Sequence, residues 1–458
     1  VDHSEGRRVS PVRRDDAPPP SAARGFRFPP FLHRRCPNGL QIYAARVDRV
    51  PLATLELVFP AGGHWDPAGL PGLATLSASL IDEGTAASSS LEIARRAEDL
   101  GGYLASYAEW DYGAVEVGLL ASELAPAFDL LIEVATAPTF PEREIDRLKK
   151  LRTTELERRR FEPGTLADEQ LARVLYLGTP YAESPLGTID SVGRIGREEA
   201  LDFYRRHYPL GSATLVAVGD LDPEALAAEI EGKLGLAPAA LAPPAEPIVP
   251  RNRTGITIHL IDRPDAAQTE LRLGHAAVGR QHADFVPLLL LNTLLGGKFT
   301  SRINLNLRER HGFTYGATTR LGGRLGPGPF SVATAVATES TGAAVREVLF
   351  ELERIRTEPV EKDEIEETRQ YITGVFPYSS QTLGDVAKRL EVLAIYDLPD
   401  DYYDGYLERI ASVDRAELLE LAREHIRPDQ LAIVAVGPAE QLEPQLAALG
   451  PVEVVSPG

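Results

Sequence analysis

The twelve-residue run "LVAVGDLDPEAL" at Leu215–Leu226 returns as "IVAVGPAEQL" at Ile433–Leu442. Ahead of each lies a helix of the same pattern, "IGREEALDFYRRHY" and "VDRAELLELAREHI". A second pair, "ATLELVFPAGG" around Leu57 and "TELRLGHAAVG" around Leu273, is 216 residues apart, against 218 for the first pair. A near-constant offset of this length points to two copies of one domain, because solenoid repeats have periods of about 20–50 residues.

The chain has 458 residues, more than one hydrophobic core serves, and about two to four domains are expected. The stretch "GLAPAALAPPAEPIVPRNRTG" at 235–255 carries five prolines and opposes regular structure. It splits the ordered chain into a domain at 31–235, a linker at 236–254 and a second domain at 255–458. The first thirty residues, with "VRRDDAPPPSAARG", are charged, Pro-rich and poor in apolar side chains, and read as a flexible leader. Within each half, strand-like runs are followed by amphipathic helices. "LPGLATLSASL", for example, places Leu73, Leu76 and Leu80 on one helical face. The expected class is α+β, with two homologous domains, each a mostly antiparallel sheet covered by helices.

The formal net charge is -19, which opposes general nucleic-acid binding and suits cationic or unfolded peptides, or solubility alone. Cys36 is the only cysteine, so neither an intramolecular disulfide nor a thiolate metal cage can form. No run of about eighteen apolar residues exists, so no membrane span is expected. The chain begins at Val1, compatible with a removed signal peptide. With the Pro-rich leader, this makes a periplasmic or exported protein the favoured expectation, with a cytoplasmic one as the alternative.

Motifs for chemistry are sparse. No G-x-S-x-G elbow is present, and "LGGKFTSR" at Leu295–Arg302 lacks the spacing of a phosphate loop. No two of the nine histidines lie three to five apart, so a zinc site would need scattered residues to converge. The most informative segment is "LNTLLGGKFTSRINLNLRERHGFTYGA", residues 291–317. Asn306, Leu307 and Arg308 end a helix that Gly312 stops, and "FTYGATTRL" reads as a strand. Arg308 and Tyr315 thus flank one helix-to-strand corner. A guanidinium and a phenol are both donors, able to hold a peptide carbonyl and the charge developing on it. The alternative is a surface arginine beside a half-buried strand tyrosine.

These segments resemble the pitrilysin/insulinase (M16) metallopeptidase family over about residues 30–450. The resemblance rests on "NGLQIYAARVDRVPLATLELVFPAGG", "LGGKFTSRINLNLRERHGFTYGA", the two "VAVG" strands and the duplication. It implies two α+β domains packed as a clam-like shell. Active members carry H-x-x-E-H after "GLA"; here Thr75, Ala78 and Ser79 stand at those positions. Thr and Ser are poor zinc ligands, and Ala78 cannot act as a general base. Glu155 falls where the family keeps its third ligand, and without the others it reads as a solvated carboxylate. Arg308 and Tyr315 match the family's Arg/Tyr pair. In two-chain members, one subunit carries zinc and the other carries this pair. The resemblance therefore implies a chain that binds no metal itself and lends Arg308 and Tyr315 to a zinc-bearing partner for peptide hydrolysis. A structural or peptide-binding scaffold with no proteolytic role is the alternative. Edge strands of the sheets would receive the peptide by β-augmentation.

Overall fold

The computed structural model describes residues 26–250 and 253–455. Most of the expected leader, residues 1–25, lies outside the described residues, and with it the basis for expecting export. The chain forms two six-stranded sheets, each covered by helices, as the α+β expectation has it.

The first sheet is built from β1 (Phe31–Arg35), β2 (Gln41–Arg46), β3 (Leu52–Phe59), β4 (Tyr103–Ala108), β5 (Gly113–Leu120) and β6 (Thr214–Gly219). The second contains β7 (Thr257–Asp262), β8 (Gln268–Ala276), β9 (Ala317–Leu321), β10 (Pro329–Ala337), β11 (Ala432–Gly437) and β12 (Val452–Val455). Their spatial orders are β1-β2-β6-β3-β5-β4 and β12-β7-β11-β8-β10-β9. Five strands match position for position, and the repeats seen in sequence fall on β3 with β8 and on β6 with β11. The sixth differs. In the first sheet β1 precedes the repeat and pairs antiparallel to β2, whereas β12 follows the repeat and pairs parallel to β7.

The strands β6 and β11 are buried along their whole length. Both faces of each sheet are covered, which is why these strands read as unbroken apolar runs rather than alternating ones. One face of the first sheet holds Leu55, Leu57, Leu215 and Ala217 against the helices of its own half. The other face holds Tyr43, Val58, Val216 and Val218 against Val386, Leu390 and Leu393 of the helix Leu383–Ile395, which comes from the second half. The exchange is reciprocal. The helix Pro163–Tyr176 of the first half lays Leu166, Leu171 and Leu175 on Val434 and Val436 of the second sheet. Each fully buried leucine contributes about 1.5–3 kcal/mol, so each half secures the other.

Charged residues at equivalent points have opposite sign. Glu56 on β3 is buried, accepts a hydrogen bond from Tyr107 at 2.6 Å, and lies in the field of Glu391 and Lys388 on the exchanged helix. Arg272 on β8 is buried and pairs with Asp168 of the other exchanged helix at 2.6 Å. Burial, with the Glu391 carboxylate adding to it, pushes Glu56 well above the ordinary carboxylate range.

Loops complete the junction. Asp111 is buried and accepts from the Tyr181 hydroxyl, the Leu325 amide at 3.0 Å and the Tyr396 hydroxyl at 3.3 Å. Beside it the Arg324 guanidinium lies 4.1 Å from the Trp110 ring centre and 4.5 Å from that of Tyr181. The Pro-rich segment has no regular structure up to Pro250, yet it is held down: Ile248 is buried, and the Glu246 carbonyl accepts from His64 at 2.8 Å.

Candidate functional site

The degenerate metal helix spans Leu73–Ala78 and ends at Ser79. It begins at Gly72 with φ +92°, where a side chain would strike the Leu186 carbonyl, so glycine is required. The Asp66 carboxylate accepts the Gly72 and Ala74 amides at 2.7 Å each and satisfies the buried N-terminus. Burial pushes Asp66 up to about 7, against the pull of the two amides and of Arg152.

Thr75 and Ser79 share a helical face, as their spacing requires. Both hydroxyls are already engaged. Thr75 is buried and donates to the Pro185 carbonyl at 2.5 Å, while Ser79 donates to the Thr75 carbonyl at 2.9 Å. Ala78 is fully buried, and its carbonyl accepts from Ser106 of β4 at 2.8 Å.

The decisive neighbour is Arg152, on the helix Glu142–Arg159. It donates from Nη1 to the Thr75 hydroxyl at 2.8 Å and to the Leu186 carbonyl at 3.3 Å. A guanidinium has no lone pair to offer and stays charged, so a cation already occupies one Thr75 lone pair and repels a metal ion from the same place. Glu155 points elsewhere. It pairs with Arg158 on its own helix at 2.8 Å, and that pair holds its carboxyl below the ordinary range. The donor set does not fit zinc, and no chemistry of this chain runs through a metal here. Restoring Thr75→His, Ala78→Glu and Ser79→His together should add no equivalent of bound zinc over the unmodified chain. Adding Arg152→Ala should raise the metal content by up to one equivalent. A full extra equivalent in the triple variant would show that the guanidinium is not what excludes the ion.

The Arg308 and Tyr315 corner is built differently. Asn304 is buried and ties two segments together: its amide donates to the Phe299 carbonyl at 2.6 Å, and its carbonyl accepts the Ala317 amide at 2.9 Å. Leu307 is fully buried and roots the helical run Leu305–Arg310. Gly312, with φ +65°, ends it by donating to the Arg308 carbonyl at 3.1 Å, while Phe313 donates to that of Leu307 at 2.9 Å. Arg308 lies 4.5 Å from the ring centre of Phe299, itself 62% exposed.

The strand expected over "FTYGATTRL" starts only at Ala317. Tyr315 sits in a bend before it and is 89% exposed, so it is not the half-buried strand residue of the alternative reading. The reason is local. The Thr314 hydroxyl accepts the Gly316 amide at 3.0 Å, a side-chain turn that competes with strand pairing. Arg308 and Tyr315 therefore project from the end of one helix and the bend that follows it, beside β9, an edge strand of the second sheet.

Two family models match the chain. That described as "Insulinase (Peptidase family M16)" covers residues 44–189, and that described as "Peptidase M16 inactive domain" covers 194–372. The chain belongs to the M16 peptidase family. An uncharacterized zinc protease of Streptomyces coelicolor is 23% identical over 393 residues, covering 85% of each chain. A probable mitochondrial-processing peptidase subunit beta of Arabidopsis thaliana is 20% identical over 425 residues, covering 89% of this chain and 78% of the relative. The crystal structure of a peptidase M16 inactive domain from Pseudomonas fluorescens superposes with a TM-score of 0.82 at 25% identity, covering 89% of this chain and 98% of that one.

Within this M16 chain, Arg152 is what sequence reasoning missed. Its signal was present: it stands three residues before Glu155, hence on a neighbouring face of the same helix. Among the described residues, no helix is long and apolar enough to cross a membrane.

Proposed function

We propose that this chain is the catalytically incomplete subunit of a heterodimeric M16 zinc peptidase and supplies Arg308 and Tyr315 to a zinc-bearing M16 partner. The observation that carries this reading is selective loss. Thr75, Ala78 and Ser79 stand in place of the metal motif and Arg152 engages the Thr75 hydroxyl. On a well-anchored corner, by contrast, Tyr315 is exposed and Arg308 is half-buried, its guanidinium 3.4 Å from the Glu309 carboxylate. When bound, the partner's zinc supplies the activated water. The residues of this chain hold the peptide. The Arg308 guanidinium and the Tyr315 hydroxyl donate to the scissile carbonyl oxygen and stabilise the negative charge that develops there.

The substrate class is an unfolded or short peptide. β9 begins two residues after Tyr315 and lies at the sheet edge, the position at which an extended peptide adds as a further strand. A partly basic peptide suits the acidic surface, and that preference weakens with salt. The test is to co-express the chain with a homologue carrying H-x-x-E-H, purify through one member and assay peptide cleavage. Co-purification with activity greater than that of either chain alone is the expected result. If no zinc-bearing homologue associates, or if the homologue is equally active alone, the chain is a scaffold of this fold instead.

A further inference from the structure

The sequence holds no closely spaced histidine pair, but the fold brings scattered ligand residues together away from the degenerate site. In the second half, His282 and Asp284 occupy the turn before the helix Phe285–Asn292. Glu424 and His425 close the helix Arg415–His425. The Asp284 carboxylate, the Glu424 carboxylate and His425 Nε2 offer donor atoms all within 4.8 Å of one another. We infer that Asp284, Glu424 and His425 form a binding site for one divalent ion of the zinc class, distinct from the family's zinc helix, with His282 as a positioning residue beside them.

The distances fit the chemistry. Zinc takes nitrogen and oxygen ligands at about 2.0–2.2 Å in a tetrahedron, which separates the donors by roughly 3.4 Å. Here His425 Nε2 lies 2.9 Å from Asp284 Oδ2, a hydrogen bond that a bound ion would replace, and 4.0 Å from Glu424 Oε1. His282 Nδ1 lies 3.8 Å from Asp284 Oδ2. The two imidazoles meet edge to face, with ring centres 5.6 Å apart. One imidazole and two carboxylates, with water in the fourth position, are a ligand set that favours zinc over magnesium or calcium, which prefer oxygen alone.

The scaffold holds the donors in place. The Phe285 amide donates to the His282 carbonyl at 2.9 Å and fixes the turn. His282 Nδ1 accepts the Asp284 amide at 3.1 Å, which uses that nitrogen's lone pair, so His282 positions Asp284 rather than offering a ligand. His425 is buried, with only its Nε2 edge turned to the cluster. As the last residue of its helix it stands where unpaired carbonyls favour a cation. Asp284 is the residue immediately before the next helix, so its position is fixed by that helix start. A bound ion would clip the two helix ends together.

This inference concerns the chain alone and does not depend on a partner. The test uses the untagged full chain, titrated with Co²⁺ and followed by its visible absorption, with Zn²⁺ competition and calorimetry to give stoichiometry and affinity. One equivalent with an intense, four-coordinate spectrum is expected, together with an upward shift of Tm on zinc addition. The exposed residues provide variants that keep the fold. His282→Ala and Glu424→Gln should each weaken binding about tenfold or more, and Thr75→Ala should leave it unchanged. Absence of saturable binding would overturn the site. So would affinity unaffected by both His282→Ala and Glu424→Gln, or affinity lost on Thr75→Ala.

Discussion

Arg308→Ala in the assembled pair is expected to lower kcat/KM by about 10²–10³-fold, the usual consequence of removing one donor aimed at a developing oxyanion. Tyr315→Phe should fall in the same range, because it deletes a single hydroxyl. Neither change should disturb the fold. Tyr315 is 89% exposed, and Arg308 is rooted through its backbone and the buried Leu307 rather than through its guanidinium. The stacking of Arg308 on Phe299 is worth about 0.5–1 kcal/mol at an exposed site, too little to unfold a domain. Steady-state kinetics on the co-purified pair, with Tm and co-purification yield as controls, separate the cases. Activity within about twofold of the unmodified pair for both variants, well inside the loss a transition-state donor causes, would remove these residues from the reaction. A fall in yield with the specific activity intact would make them interface residues.

The second large effect is on stability. Asp111→Ala should cost about 3–5 kcal/mol, the range for removing one partner of a buried charged network. Its carboxylate receives the Leu325 amide and the hydroxyls of Tyr181 and Tyr396, and the residue is only 3% exposed. Deletion leaves the Leu325 amide without its acceptor and Tyr181 with only the longer His64 contact at 3.4 Å, each costing about 1–3 kcal/mol, while Tyr396 keeps the Gly323 carbonyl at 3.2 Å. Because Tyr181 lies in the first half and Leu325 and Tyr396 in the second, the loss should also reduce cooperativity between the halves. Asp111→Asn keeps one acceptor oxygen and should fall between. Denaturant unfolding, read by midpoint and by slope, measures both. A loss under about 1 kcal/mol, typical of a surface change, would mean that the exchanged helices alone hold the halves together.

Much of the architecture is legible in the sequence. The repeats mark β6 with β11 because a strand buried on both faces reads as an unbroken apolar run. That constraint survives in both copies. The helix stop at Gly312 was legible because a left-handed residue at a helix end favours glycine. The start of β9 was not. Thr314 can either extend a strand or fold back on the Gly316 amide, and only its neighbours in space, Thr334 among them, decide which.

The site divides along the same line. The sequence determined what is missing: Thr75, Ala78 and Ser79 cannot grip zinc or activate water, whatever surrounds them, because their atoms lack the chemistry. It also determined that Arg308 and Tyr315 flank one corner, since helix end and following bend are local. The tertiary structure alone decided what replaced the metal and where ligands gather instead. Arg152 reaches Thr75 across 77 residues, and His425 reaches Asp284 across 141. Such contacts depend on how whole helices pack, and that packing is set by the summed burial of many apolar side chains. No short-range pattern encodes it.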